Sequence, residues 1–119
     1  YLAIMSSSIS ALPMTKTQAY GASKSAVSYF AEAMKLDLKP LGIDVSIISP
    51  GFVKTPLTDL NDFAMPMKIS AEKAASEIID GLERRVWDIY FPIKFVWLLR
   101  LLAQLPIRLK HYLLAKMID

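Results

Sequence analysis

Two residue types in the stretch AYGASKSAV, Ala19 to Val27, could do acid–base chemistry together: Tyr20 and Lys24. Residues four apart are neighbours on one helix face. A free phenol holds its proton until about pH 10 and is a poor base at neutrality. An ammonium group beside it favours the phenolate. A position near the start of a helix does the same, because the macrodipole favours negative charge there. Together these would bring the tyrosine into range for proton transfer. A third group is needed to hold a substrate oxygen, and Ser6, Ser7 and Ser8 stand upstream at the end of an apolar run. The ligands of open α/β sheets bind at such strand ends. Taken singly, each feature has a plainer reading: Tyr–Lys pairs at this spacing arise by chance in many helices, and serines at strand ends are commonly turn and cap residues.

The elements that must position these groups can be read from periodicity. Tyr1 to Met5 is a short apolar run, suited to a strand buried on both faces of a parallel sheet. Ser6 to Thr17 is polar, contains Pro13 and reads as a loop. From Gln18 to Lys39 the spacing of Ala22, Ala26, Phe30, Ala33, Met34 and Leu38 predicts a helix, ended by Pro40 and Gly42. Ile43 to Ser49 reads as a second strand and Pro50-Gly51 as its break. Thr55 to Ile69 reads as a long loop. Ser70 can cap the next helix, whose apolar stripe is Ala71, Ala74, Ala75, Ile78, Ile79 and Leu82. Val86 to Phe91 is a third strand, closed by Pro92. Strand–helix–strand–helix–strand predicts an α/β fold with a parallel sheet.

Composition narrows the function classes. The 119 residues are 54% hydrophobic and 21% charged, which predicts a folded core. The absence of cysteine excludes a disulfide scaffold and a thiol nucleophile, and fits a reducing, cytoplasmic setting. His111 is the single histidine and reads as a surface residue; no metal is expected. The net charge of +3 is uneven: residues 94–119 carry five basic side chains against Asp119 alone, leaving −1 elsewhere. This points to an anionic surface as the tail's partner and away from nucleic acid. The apolar piece FVWLLRLLAQL, Phe95 to Leu105, is far short of the ~20 residues that cross a bilayer. It could cover a pocket, form a subunit interface, or lie on a membrane surface with the basic residues of IRLKHYLLAKMID toward phosphates.

The spacing of three motifs resembles the short-chain dehydrogenase/reductase family. That family places a serine thirteen residues before the tyrosine of a Tyr-x-x-x-Lys helix motif; here that residue is Ser7. About thirty residues after the tyrosine it has Pro-Gly at a strand end, then a valine and a threonine; here these are Pro50, Gly51, Val53 and Thr55. The small residues Gly21, Ala22, Ser23, Ser25 and Ala26 are similar to the family's tightly packed helix. The resemblance covers residues 1–91, a C-terminal half of a Rossmann-like doubly wound domain, with 92–119 as a less typical helical tail.

The resemblance implies an NAD(P)-dependent oxidoreductase, with NADP preferred over NAD, acting on a small hydrophobic carbonyl or alcohol. Tyr20 would be the general acid or base, Lys24 would tune it and bind the nicotinamide ribose, and Ser7 would bind the substrate oxygen. The backbone from Pro50 to Val53 and the Thr55 hydroxyl would hold the nicotinamide carboxamide. Thr55 to Ile69 would be a lid, its Leu57, Leu60, Phe63, Met65 and Met67 meeting an apolar substrate or folding back on the body. The parent would be a homo-oligomer. An isomerase or epimerase using the same pair, or a non-enzymatic relative acting as a binding protein, remain open as alternatives. The family's Gly-rich phosphate turn, its Asn-Asn-Ala-Gly segment and its tetrad asparagine have no counterpart here, so the expectation is a fragment that is inert alone.

Overall fold

The computed structural model describes residues 1–60, 65 and 67–117. Its centre is a three-stranded, all-parallel sheet in the order β1 (Leu2–Met5), β2 (Val45–Pro50), β5 (Asp88–Phe91). Leu2 pairs with Val45 and Met5 with Ile48; Ile47 pairs with Asp88 and Pro50 with Phe91. Helix α1 (Gln18–Leu38) joins β1 to β2, and α2 (Ala71–Glu83) joins β2 to β5. Between them β3 (Val53–Lys54) and β4 (Ile69–Ser70) form a second small parallel pair. Two further helices follow, α3 (Ile93–Ala103) and α4 (Ile107–Lys116).

The middle strand explains the layering. Every residue from Val45 to Ser49 is buried, so both faces of β2 must be covered. Helix α2 covers one of them, where Ile48, Ile89 and Phe91 pack with Ala74 and with the partly buried Ile78 and Leu82. Helix α1 packs on β1 and β2. Along β5 the period of two alternates the contacts. Ile89 and Phe91 meet α2, whereas Asp88 and Tyr90 bond to Arg100 and Trp97 of α3. This is the expected α/β architecture with helices on both faces of a parallel sheet.

Several sequence expectations need correction. The first strand is not buried on both faces: Ala3 and Met5 are exposed. The reason is its place at the sheet edge, since within this sheet α2 packs on β2 and β5. In α1 the face on the sheet is not the expected stripe. Ala31 is fully buried and Val27, Ser28, Met34, Lys35 and Leu38 partly so, whereas Ala22, Ala26, Phe30 and Ala33 face solvent. Serine hydroxyls satisfied within the interface let polar residues occupy the inner face. In α2, Ala74, Ile78, Gly81 and Leu82 turn inward, but Ala71, Ala75 and Ile79 do not. The loop 6–17 contains a 3-10 helix, Ser8–Ala11, and the loop after Thr55 contains another, Thr58–Leu60. Ser70 caps α2 as expected, accepting a hydrogen bond from Lys73 N at 3.1 Å.

The tail packs on the body. Phe95 and Leu99 of α3 form a buried cluster with Leu12, and Phe52, Leu102 and Leu114 pack around it. A bidentate ion pair from Arg100 to Asp88, at 2.7 and 3.1 Å, ties α3 to β5. No described helix is long and apolar enough to cross a membrane.

Candidate active site

The register of the sheet collects the candidate residues at one edge. Met5 pairs with Ile48, so Ser7 and Pro50 each stand two residues further on, at the carboxyl ends of adjacent strands. The ladder continues past β1, with Ser6 N donating to Ile48 O at 2.7 Å. Gly51 continues it on the other side, its N–H donating to Phe91 O at 2.7 Å. This is the edge at which ligands of open α/β sheets bind.

Tyr20 lies in the first turn of α1 and Lys24 one turn later. The Lys24 ammonium is 5.7 Å from the centroid of the Tyr20 ring. The Tyr20 side chain is half exposed, so its hydroxyl is open to a ligand. Ser7 is buried and caps the 3-10 helix, its Oγ accepting from Ile9 N at 3.3 Å. An Oγ that accepts there still has its own proton to donate, and among the described residues nothing takes it. No hydrogen bond joins Ser7 to Tyr20.

A serine cluster, unnoticed in the sequence, fastens α1 to the strand end. Ser6 Oγ donates to the Lys24 carbonyl oxygen at 3.1 Å and lies 2.6 Å from Ser28 Oγ. Ser28 Oγ in turn reaches Ser10 Oγ at 3.2 Å, and Ser25 Oγ donates to Ser10 O at 3.4 Å. A signal was available: Ser28 stands four residues after Lys24 and so on its side of the helix.

The cofactor-side residues are only partly gathered. Pro50 and Gly51 are half-buried at the same edge. A side chain on Gly51 would strike Phe95 Cδ1 and Pro92 Cδ, each at 3.0 Å, so α3 approaches the backbone there closely. The Val53 side chain packs into the α2 core, and its carbonyl accepts from Thr58 Oγ1 at 2.7 Å. Thr55 Oγ1 accepts from Thr58 N at 3.2 Å and lies 3.3 Å from Thr58 Oγ1, whose own proton goes to Val53 O. Thr55 also lines a shallow 260 Å³ cavity with Lys54, Asp59 and Glu72; Ser7, Tyr20 and Lys24 do not. Of the expected lid residues, Leu57, Leu60 and Met67 are exposed and Met65 is half-buried. Phe63 lies outside the described residues. Among the described residues no cluster of three metal-ligating side chains occurs.

Parallel strands, flanking helices and a hydroxyl-lined carboxyl edge define a Rossmann-like α/β domain. The chain belongs to the short-chain dehydrogenase family, whose model matches residues 2–64. An uncharacterized oxidoreductase of Myxococcus xanthus is 36% identical over 88 residues, covering 74% of this chain and 35% of that protein. Human 17-beta-hydroxysteroid dehydrogenase type 2 is 35% identical over 78 residues, covering 66% and 18%. A solved short-chain dehydrogenase from Sphingobium yanoikuyae in complex with NADPH superposes with a TM-score of 0.69 at 22% identity, covering 76% of this chain and 37% of that one. The chain thus spans about a third of the length of its bacterial relatives.

Proposed function

We propose that this chain carries the acid–base half of an NAD(P)-dependent oxidoreductase, in which Tyr20 moves the proton of a hydrophobic carbonyl or alcohol. The observation that carries the reading is the first turn of α1: an open Tyr20 hydroxyl, with the Lys24 ammonium 5.7 Å from its ring. When bound, a nicotinamide supplies the hydride. Ser7 Oγ donates its spare proton to the substrate oxygen and fixes it against the sheet edge. Tyr20 gives that oxygen a proton in reduction and takes it in oxidation. Lys24 stabilises the phenolate and reaches toward the ribose. Backbone from Pro50 to Val53 and the Thr55 hydroxyl hold the carboxamide side. This chain's residues fit the nicotinamide end of a dinucleotide and supply no phosphate loop.

The Tyr-x-x-x-Lys assignment and the placement of the chain in the C-terminal half of the family's domain rest on motif spacing, supported by the fold. NADP is the preferred cofactor, in keeping with the NADPH held by the Sphingobium protein. Exposed Leu57, Leu60 and Met67 favour an apolar substrate. Exposed Tyr29, Phe30 and Leu36 on the outer face of α1 favour a homo-oligomer.

The test is Tyr20→Phe in the full-length protein. Loss of the acid–base group should lower kcat by about 10²–10⁴-fold, with the fold and the melting temperature retained. Turnover equal to that of the unsubstituted protein would remove Tyr20 from the reaction.

A further inference from the structure

We infer that α3 and α4 form a surface that rests on anionic lipid. The inner face of α3 is spent on the body, through buried Phe95, Val96 and Leu99. Its outer face is also apolar: Ile93, Trp97, Leu98 and Leu101 follow helical spacing and are between 49% and 63% exposed. Lys94 stands on that same face by its spacing to Leu98 and Leu101. Helix α4 adds Arg108, Tyr112 and Lys116, four apart and all exposed. An apolar stripe, an aromatic ring and flanking cations are the components of a helix lying in the headgroup plane.

Charge selects the occupant. Residues 93–117 contain five cations and no Asp or Glu. Arg100 is matched by Asp88, which leaves Lys94, Arg108, Lys110 and Lys116 to meet charge from outside the two helices. A second copy of the chain docked face to face would set these cations against their own equivalents. Anionic headgroups would neutralise them, each contact strengthening association with the leaflet. The orientation is also fixed. Helix α2 lies on the other face of β5, and its outer surface presents Glu72 and Glu83, which anionic lipid repels, with Asp80 matched by Arg84. With 11 and 10 residues, neither helix can span the bilayer. Both lie along it.

Flotation of the full-length protein with vesicles of phosphatidylcholine and phosphatidylserine tests this, with pure phosphatidylcholine as the control. The protein should float with the mixed vesicles at low salt, and added salt should release it because the Debye length shrinks. Leu98→Gln with Leu101→Gln should cut the bound fraction about tenfold, as should Lys94→Glu with Arg108→Glu and Lys116→Glu. These side chains are exposed, and an unchanged melting temperature shows that the fold survives. Equal binding to both vesicle types, or none to either, would overturn the proposal. So would a dimer that the Leu98/Leu101 substitutions dissociate without any vesicle binding. The outcome is independent of catalysis: Tyr20→Phe should float as the unsubstituted protein does.

Discussion

Ser6 is 3% exposed, and its hydroxyl touches the backbone of one candidate site residue while standing next in sequence to another. The Lys24 carbonyl already accepts the helical N–H bond from Ser28, so the Ser6 hydroxyl uses its second lone pair. That bond fixes the turn carrying Lys24 to the strand end carrying Ser7. The cost of losing it can be bounded. In Ser6→Ala the carbonyl keeps its helical bond, and Ser28 Oγ keeps Ser10 Oγ at 3.2 Å. No group is orphaned, so the loss should be the net value of a hydrogen bond, about 0.5–1.5 kcal/mol, and not the larger penalty of an unsatisfied one. Urea unfolding of Ser6→Ala measures it. A loss far above this range would mean that Ser6 holds more of the strand end than these two bonds. Ser6→Thr keeps the hydroxyl and should recover part of the loss.

At the scale of elements, α2 shows two opposed effects on one residue. Gly81 sits inside the helix, where alanine would be favoured by about 1 kcal/mol on propensity alone. Its backbone, however, lies against β5: an added Cβ would fall 2.6 Å from Ile89 Cγ1 and 2.8 Å from Cδ1. Ile89 is β-branched, 5% exposed and stiff at χ1, so it cannot swing away. Overpacking of this kind costs about 1–3 kcal/mol, enough to exceed the propensity gain. Gly81→Ala should therefore lower stability on thermal or urea unfolding. In an Ile89→Ala background the same substitution should become neutral or stabilising, because the clash is gone. The sign change is the diagnostic. The sequence alone showed the order of the three central strands and their helices, the Ser70 cap and the close grouping of small residues near Tyr20, but not the small β3–β4 pair. It did not show which face of α1 turns inward. Helical spacing there admits two stripes, and the buried one is interrupted by Lys24, Ser28 and Lys35, polar residues that only the tertiary contacts can satisfy. Likewise Ser7, Lys24, Pro50 and Gly51 could be picked out by spacing as candidates. Their common edge needed the register between β1 and β2, which no local pattern encodes.

For the whole molecule, the four glycines are a direct reading of what kind of ligand the chain can hold. Gly21 lies within α1, and Gly42 ends the turn after α1 at φ 73°. Gly51 passes beneath Phe95 and Pro92, and Gly81 faces Ile89. Each answers a local demand of packing or backbone. A pyrophosphate loop needs glycines grouped at a strand-to-helix turn, so that N–H groups converge on the phosphates at a helix N-terminus. None of this sheet's three strand-to-helix turns offers such a grouping, and the one from β5 to α3 holds Pro92 and no glycine. The turn from β1 to α1 is glycine-free, with Pro13 and a 3-10 helix. The turn from β2 to α2 has Gly51 alone, and Asp59 and Glu72 stand beside its cavity. Two acidic side chains against the single Lys54 disfavour a phosphate there. The 119 residues by themselves should therefore give no enhancement of NADPH fluorescence on titration, although Ser7, Tyr20 and Lys24 are all present. Saturable enhancement, competed by NADP, would overturn this and would mean that backbone N–H groups elsewhere in the fold replace the glycine loop.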